Sequence, residues 1–245
     1  MSAALERLNA ADRPRVQTNL RPRDASSLVL VDRSGAEPRL LVGRRHPDQV
    51  FMPNKVVFPG GRVDACDARV QLGDDLHPME AQKLLLDMKG RVVPSRARAL
   101  ALAAVRELFE ETGLVLGRKA GAVQTRSVGW KAFLETGHVP RIDRLIYFAR
   151  AITPPRRPRR YDTRFFIGIA DDLAPVSRDG DGELRELNWL TFEECRSCEL
   201  HVMTRTILDE AEQLLDAKAR PKRRKSLPFY FERHGRFQQE ELRLP

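Results

Sequence analysis

The stretch that decides the fold is Arg106-Glu107-Leu108-Phe109-Glu110-Glu111-Thr112-Gly113-Leu114. Its three carboxylates, on Glu107, Glu110 and Glu111, stand at offsets of zero, three and four, so a helix carries them on one side. Like charges at this spacing repel by roughly 0.2–0.5 kcal/mol per pair. A helix with such a face either holds a cation or presents a solvated surface, and the acids alone leave both interpretations open.

The opposite side of the same helix is apolar and predicts burial against a core, through Ala101, Ala104, Val105 and Leu108. Gly113 stands where helices commonly end in a left-handed residue. We therefore expect a helix from about Arg96 to Thr112, with Ser95 as its N-cap.

This run resembles the second half of the Nudix box, the metal-binding loop-helix-loop of the Nudix hydrolases. VVFPGG, residues 56–61, is similar to the glycine loop that opens the box. In the family that glycine and the arginine stand fourteen positions apart, whereas Gly61 and Arg106 are 45 apart. About 31 extra residues therefore lie inside the motif, and we place this insert at about 62–95.

The insert also displaces a residue of the box. Eight positions before Arg106, where the family has a glutamate that orients the arginine, the chain has Arg98. Glu80 and Asp87 in the insert are candidate replacements, and the sequence does not choose between them. Because the insert contains polar turns such as residues 73–75, we expect it to lie at the surface and to affect substrate choice more than folding.

The resemblance implies a Nudix-type α/β/α sandwich with a mixed β-sheet, over residues 22–216. Residues 217–245 are then expected to form a basic C-terminal tail. Periodicity predicts strands at 26–32, 39–44, 145–151, 163–169 and 183–190. It predicts further helices at 79–88, 130–135 and 202–218, and Thr191 with Glu194 is typical of a capping box.

The resemblance further implies a divalent-metal-dependent diphosphatase that acts on a small molecule. Glu110 and Glu111 would be the main ligands of Mg²⁺ or Mn²⁺, Glu107 a further ligand or the general base, and the Gly61 carbonyl an additional ligand. Arg106 would orient the glutamates. Both metals are hard cations that prefer carboxylate and carbonyl oxygens, and they can activate water and stabilise a leaving phosphate.

Two stretches are similar to coenzyme A diphosphatases. Residues 39–61 match the motif that precedes the box in that group at a few positions, Arg44 among them, and RRYDTRFF at 159–166 is similar to a divergent branch with the long insert. Arg159, Arg160 and Arg164 would then bind the extra phosphate of coenzyme A, because guanidinium groups match phosphate oxygens. The equal alternative is a solvated loop.

Coenzyme A or acyl-coenzyme A is thus the leading substrate, with nucleotide sugars, dinucleoside polyphosphates and NADH left open. The alternative function is a catalytically weak Nudix-fold regulator that binds a nucleotide. Degenerate metal residues would favour a regulator, but Glu107, Glu110 and Glu111 are all present.

The formal charge of +9 points first to a nucleic-acid binder. However, residues 153–160 and 217–225 together carry ten basic residues and no acid, which leaves the rest of the chain at −1. The charge therefore lies in two proline-containing segments rather than on a broad face, and a nucleic-acid partner is not favoured.

No apolar run is long enough for a membrane span, and residues 1–20 lack a signal-peptide core. We therefore expect a cytoplasmic protein without a membrane partner, for which a homodimer stays open. The three cysteines do not make a disulfide framework, and the CxxC spacing of Cys195 and Cys198 lacks the second pair that a zinc site needs.

Overall fold

The structure is a computed structural model, and it describes residues 3–11, 19–49, 52–70, 73–121, 123–215 and 221–245. In these residues the helices are α1 (Ala3–Ala10), α2 (Ala65–Arg69), α3 (Pro78–Leu85), α4 (Pro94–Thr112), α5 (Val128–Leu134), α6 (Phe192–Ser197) and α7 (Val202–Glu212). The strands are β1 (Arg23–Asp32), β2 (Arg39–Arg45), β3 (Val56–Val57), β4 (Gly60–Arg62), β5 (Leu114–Lys119), β6 (His138–Pro140), β7 (Ile146–Ile152), β8 (Tyr161–Ile169), β9 (Leu173–Ser177), β10 (Leu184–Thr191), β11 (Ser226–Arg233) and β12 (Arg236–Arg243).

A mixed sheet forms the centre of the fold. Its main strand order is β10-β2-β1-β8-β7-β11-β12, and the short strands β3 and β4 pair with β2 and β1. Strand β1 lies antiparallel to β2 and parallel to β8, from the pair Arg23–Tyr161 to the pair Val31–Ile169. A smaller sheet has the order β6-β5-β9. The predicted hairpin of β1 and β2 and the predicted strands β7, β8 and β10 are confirmed, with ends shifted by a few residues.

Both faces of the large sheet are covered, as alternation along β1 makes clear. Leu28 and Leu30 point to the face that α4 covers, whereas Val29 and Val31 point to the face that α7 covers. All four side chains are fully buried. Burial of a side chain of this size stabilises the fold by about 1.5–3 kcal/mol. The arrangement is the predicted α/β/α sandwich.

Helix α4, the predicted central helix, begins at Pro94, two residues earlier than expected. Its N-cap is Val93 and Pro94 takes the first helical position, which proline suits because it has no amide hydrogen to satisfy there. The prediction of Ser95 as N-cap was therefore wrong. The helix ends at Gly113, which is left-handed with φ 72°, as predicted. A Cβ there would lie 1.6 Å from the Arg178 carbonyl oxygen, so only glycine fits.

The insert packs into the core, contrary to the expectation that it lies at the surface. It forms α2, which was not predicted, and α3, which spans Pro78–Leu85 where a helix over 79–88 was predicted. Val70, Leu84 and Met88 are each at most 5% exposed and join the cluster that covers α4. Removing the insert would therefore uncover apolar surface on the α4 side of the sheet.

The expected basic tail is largely a β-hairpin. Strands β11 and β12 pair antiparallel, and β11 runs parallel to β7 with Phe229 opposite Arg150. Phe229, Tyr230 and Phe237 are buried, and the Arg150 guanidinium lies 4.4 Å from the Phe229 ring centre. The tail prediction is thus wrong for residues 226–243, because these aromatic side chains complete the sheet. Residues 216–220 lie outside the described part of the chain.

Helix α7 ends at Glu212, earlier than the predicted Lys218, which itself lies outside the described residues. The capping box of Thr191 and Glu194 is confirmed at the start of α6. All three cysteines are free thiols. Among the described helices, none combines the length and the apolar character that crossing a membrane requires.

Candidate active site

Helix α4 carries the acidic residues at its C-terminal half. The apolar side of the helix, including Leu100, Ala104 and Leu108, is fully buried against the sheet, and this fixes the rotation of the helix. The Ser26 hydroxyl of β1 also donates to the Leu100 carbonyl at 2.6 Å. Arg106, Glu107 and Glu110 consequently face the short strand β4 and the insert.

Arg106 connects the parts of this site. It is 2% exposed, and its Nη1 donates to Glu107 Oε1 at 2.9 Å and to Glu110 Oε2 at 2.6 Å. Its Nη2 donates to the Arg62 carbonyl at 2.8 Å. Burial would lower the pKa of Arg106, but hydrogen bonds to Asp67 and the surrounding carboxylates raise it above its ordinary value. The guanidinium is thus permanently charged and donates to both glutamates, and the orienting role that the resemblance implied for it stays a prediction.

Asp67 is a buried partner of Arg106 that the sequence did not predict. Its carboxylate accepts from Arg106 Nε at 2.9 Å and from Nη2 at 3.1 Å, and also from Trp130 Nε1 at 3.0 Å. Asp67 lies in α2, where it accepts from the Asp64 amide as part of a capping box. The spacing of Asp64 and Asp67 was the one signal in the sequence that could have indicated this helix start.

The two acids expected to replace the box glutamate lie elsewhere. Glu80 is fully buried, pairs with Lys83 at 2.8 Å and accepts from the Tyr147 amide. Asp87 lies beside Arg150 and Lys89. Neither contacts Arg106 in the described structure, so both candidate replacements were wrong, and Asp67 occupies the place beside Arg106.

Glu111 holds the glycine loop against the helix. Its Oε2 accepts a hydrogen bond from the Gly60 amide at 2.8 Å, and the residue is 2% exposed. Burial raises the pKa of the Glu111 carboxyl well above its ordinary value, and the charge of Glu107 raises it further. A Cβ on Gly60 would lie 2.4 Å from the Ser26 carbonyl oxygen, so this close approach requires a glycine.

Glu107 rests directly on Gly61. A Cβ on Gly61 would lie 2.5 Å from Cδ of Glu107, so any larger residue would displace the carboxylate. Burial raises the pKa of Glu107 to about 7. The charge of Arg106 opposes this rise, and the charge of Glu110 adds to it. Burial likewise raises the pKa of Glu110. The predicted ligand residues Gly61, Glu107, Glu110 and Glu111 therefore lie in one neighbourhood.

The chemistry of these groups fits a hard divalent cation. Three carboxylates lie together in the C-terminal half of α4, and carboxylate oxygens are the ligands that Mg²⁺ and Mn²⁺ prefer. Within the part of the chain that the structure describes, no three acidic, histidine or cysteine side chains converge on a common point. The Arg106 Nη1 and the Gly60 amide donate to carboxylate oxygens of Glu107, Glu110 and Glu111.

The site opens into a cavity of about 950 Å³. Arg106, Glu107 and Glu110 line it, together with Gly60, Gly61 and further residues from the other side of the sheet. Asp181 and Glu183, from the turn before β10, add two carboxylates to its wall. The Asp181 amide donates to the Glu110 carbonyl at 2.7 Å, which attaches this turn to the end of α4. The acids of this turn were not among the predicted site residues.

The four arginines predicted to bind substrate do not line this cavity. Arg164 is 1% exposed and pairs with Asp24 and Asp162, so its burial contradicts a substrate contact. Arg160 donates to the carbonyl oxygens of Thr153 and Leu20. Arg44 pairs with Glu186 at 2.8 Å, and Arg159 is exposed. Their positions give no support to the predicted phosphate contacts, and the basic residues on the wall are Arg45, Lys55, Arg62, Arg106 and Arg157.

Comparison with known proteins places this geometry beside that of nudix hydrolases. The chain is 32% identical over 184 residues to a curated Caenorhabditis elegans protein named for that family, nudix hydrolase 7. The match covers 71% of this chain and 52% of the relative, so the chain spans about half the length of the curated relative it matches. No family model matches the chain.

A solved structure gives the same result for the fold. The chain is similar to a nudix hydrolase from Alicyclobacillus acidocaldarius, with a TM-score of 0.58 and 24% identity. The similarity covers 77% of this chain and 90% of that one, and it shows a shared fold.

Proposed function

We propose, on the premise that this chain belongs to the Nudix hydrolase superfamily, that it cleaves a diphosphate bond in a nucleoside-diphosphate-linked substrate with the help of Mg²⁺ or Mn²⁺. The observation that carries this proposal is the connected arrangement around Arg106. One guanidinium holds Glu107 and Glu110 side by side, while Glu111 holds the glycine loop over them. Arg106, the glutamates and the glycine loop come from distant parts of the motif, and they line or adjoin one cavity.

Each residue has a distinct proposed role. Glu110 and Glu111 would be the main metal ligands, and Glu107 a further ligand or the general base. The Gly61 carbonyl would be an additional ligand. The metal, when bound, would neutralise the diphosphate and make a water molecule more acidic. Arg106 keeps the carboxylates oriented and does not itself contact the reacting atoms, because its donors are already engaged by Asp67, Glu107, Glu110 and the Arg62 carbonyl.

For the substrate we propose coenzyme A or acyl-coenzyme A. The sequence similarity around the insert and residues 159–166 supports this choice. The size of the cavity supports it too, because about 950 Å³ is far more than a diphosphate requires and is at the upper end for small-molecule sites. Phe58, Phe165 and Met203 give one wall the apolar character that suits a pantetheine or acyl group.

An activity screen tests the proposal. The purified chain would be incubated with coenzyme A, acetyl-coenzyme A, ADP-ribose, NADH, UDP-glucose and diadenosine tetraphosphate, each with Mg²⁺, with Mn²⁺ and with a chelator. We expect metal-dependent release of a nucleoside monophosphate or bisphosphate, fastest from the coenzyme A compounds. Hydrolysis of another compound alone would refute the coenzyme A choice. Binding without hydrolysis of any compound would favour the nucleotide-binding regulator instead.

A further inference from the structure

The cavity extends past the glutamates to a second set of charged groups. Lys55, Arg157 and His201 all line it, and we call these three residues the distal basic cluster. None of them belongs to α4. Lys55 directly precedes β3, Arg157 lies in the loop between β7 and β8, and His201 is the N-cap of α7. The structure thus brings three separate segments to one part of the cavity wall.

His201 presents a hydrogen-bond donor in this cluster. Its Nδ1 accepts from the Met203 amide at 3.1 Å, which places the proton of the neutral ring on Nε2. Burial, together with the positive charges of Arg157 and Lys55, lowers the pKa of His201 to about 4. The imidazole is therefore neutral near pH 7 and lies in a positive field.

The surroundings of the cluster favour an anion. The first turn of α7 carries no acidic residue, and the positive end of the helix dipole lies there. Lys55 pairs with Glu199, so its positive charge is partly balanced. The apolar side chains of Phe58, Leu200 and Met203 line the same cavity. An occupant would therefore carry an anionic group as well as an apolar part.

We propose that the distal basic cluster binds a phosphate monoester of the substrate that is separate from the diphosphate to be cleaved. This inference rests on the proposed function, and it assigns the phosphate contact to Lys55, Arg157 and His201 rather than to Arg159 and Arg160. Lys and Arg bind phosphate through charge-assisted hydrogen bonds, and the Nε2 donor of His201 adds a neutral one. The 3′-phosphate of coenzyme A and the 2′-phosphate of NADPH share this chemistry.

Binding measured without divalent metal tests the inference independently of hydrolysis. Dissociation constants would be determined by calorimetry for two matched pairs, coenzyme A with dephospho-coenzyme A, and NADPH with NADH. We expect the phosphate to tighten binding about tenfold or more in at least one pair, as one or more charge-assisted contacts predict. The pair that shows the preference identifies which phosphate position the cluster takes.

Four variants assign that preference to residues. Lys55→Ala and Arg157→Ala should each lose most of the preference. His201→Asn should lose part of it, because the Nε2 donor is removed, while asparagine can still cap α7. Arg159→Ala should keep it, because Arg159 is an exposed arginine of the same loop that does not line the cavity. Each variant would first be compared with wild type by thermal unfolding, and the ratio of the two constants within a pair cancels any general loss.

Three results would overturn the inference: equal affinity of wild type for both members of both pairs, an unchanged preference in Lys55→Ala and Arg157→Ala, or its loss in Arg159→Ala alone. None of these results depends on turnover. A chain that hydrolyses nothing but shows the preference would refute the proposed activity and retain the phosphate site.

Discussion

Arg106 shows how a single side chain can organise a site. Its guanidinium is planar, and its nitrogens donate in different directions to Asp67, Glu107, Glu110 and the Arg62 carbonyl. A lysine at this position would keep the charge but could not serve all these acceptors at fixed angles. The acids around it would repel one another without it, so the arrangement of the site depends on one buried cation.

Asp67→Asn should destabilise the fold strongly. The change replaces the fully buried carboxylate beside Arg106 by a neutral amide, while Glu107 and Glu110 remain paired with the guanidinium. The loss should therefore lie near the lower end of the roughly 3–5 kcal/mol that breaking a buried ion pair costs. The free energy of unfolding in urea measures the effect. Asp75→Asn is the matched control, because Asp75 is also in the insert but is 93% exposed in its pair with Arg98. An exposed pair contributes at most about 1 kcal/mol. Similar losses in both variants would contradict a special role for Asp67.

Glu111→Gln should reduce diphosphate hydrolysis by at least about 100-fold, on the scale of losing one group that stabilises the transition state. The substitution removes a charge from the proposed metal site but leaves an oxygen that can accept from the Gly60 amide. The fold should therefore survive, and circular dichroism would verify it. Initial rates at saturating Mg²⁺ measure the effect, and turnover equal to that of wild type would remove Glu111 from the proposed ligands.

At the scale of elements, two segments that look peripheral in the sequence complete the core. The insert supplies α2 and α3, and the C-terminal segment supplies β11 and β12. Arg223 ties the segment before β11 to α3, because its guanidinium pairs with Glu80 at 3.1 Å. A charged run such as residues 222–225 can therefore lie next to structured chain and contribute specific contacts.

Phe229→Ala should lower the free energy of unfolding by about 3–5 kcal/mol, as the loss of a buried phenylalanine does. Phe229 is 4% exposed in β11 and contacts the Arg150 guanidinium. Gln238→Ala in β12 is the control, since Gln238 is exposed and should change stability by less than about 0.5 kcal/mol. Chemical denaturation compares the two. No difference between the variants would mean that the hairpin is not part of the cooperative fold.

At the scale of the whole molecule, the cavity joins the two sides of the sandwich. Residues of α4 and β4 line it on one side of the sheet edge, and residues around the start of α7 line it on the other. Its walls therefore depend on the packing of apolar side chains on both faces of the large sheet, under α4 and under α7.

The free energy of unfolding should decrease as the pH is lowered, because of His201. Its pKa is about 4 in the folded protein, below the ordinary value of 6.5, because burial and the charges of Arg157 and Lys55 disfavour the imidazolium. The unfolded chain therefore takes up the proton first. Above about pH 6.5 His201 is neutral in both states and does not reduce stability. Between pH 6.5 and 4 its protonation in the unfolded chain lowers the free energy of unfolding by about 1–3 kcal/mol.

Urea unfolding at several pH values checks this prediction. The raised pKa values of the buried glutamates act in the opposite direction, so wild type is compared with His201→Asn, which should be less sensitive to acid. His77→Asn is the control, because His77 is an exposed N-cap of α3 with the same kind of hydrogen bond. A parallel decline in wild type and His201→Asn would show that His201 does not titrate in this range.

The features that the sequence by itself determined are those in which neighbours along the chain interact. Helix α4, its end at Gly113 and the common side of Glu107, Glu110 and Glu111 follow from spacings of three and four residues. The alternation of apolar residues likewise predicted β1, β7 and β8. These patterns are local, so they can be recognised without knowledge of the fold.

Only the tertiary structure decided which distant groups meet. Asp67 and Arg106 are 39 residues apart, and β11 pairs with β7, which lies even farther away along the chain. Glu80, Asp87 and Asp67 are all acids of the insert, and only Asp67 is buried where Arg106 and Trp130 both donate to it. Such a choice depends on how elements pack and on the cost of leaving a buried charge unpaired, and neither is encoded in local periodicity.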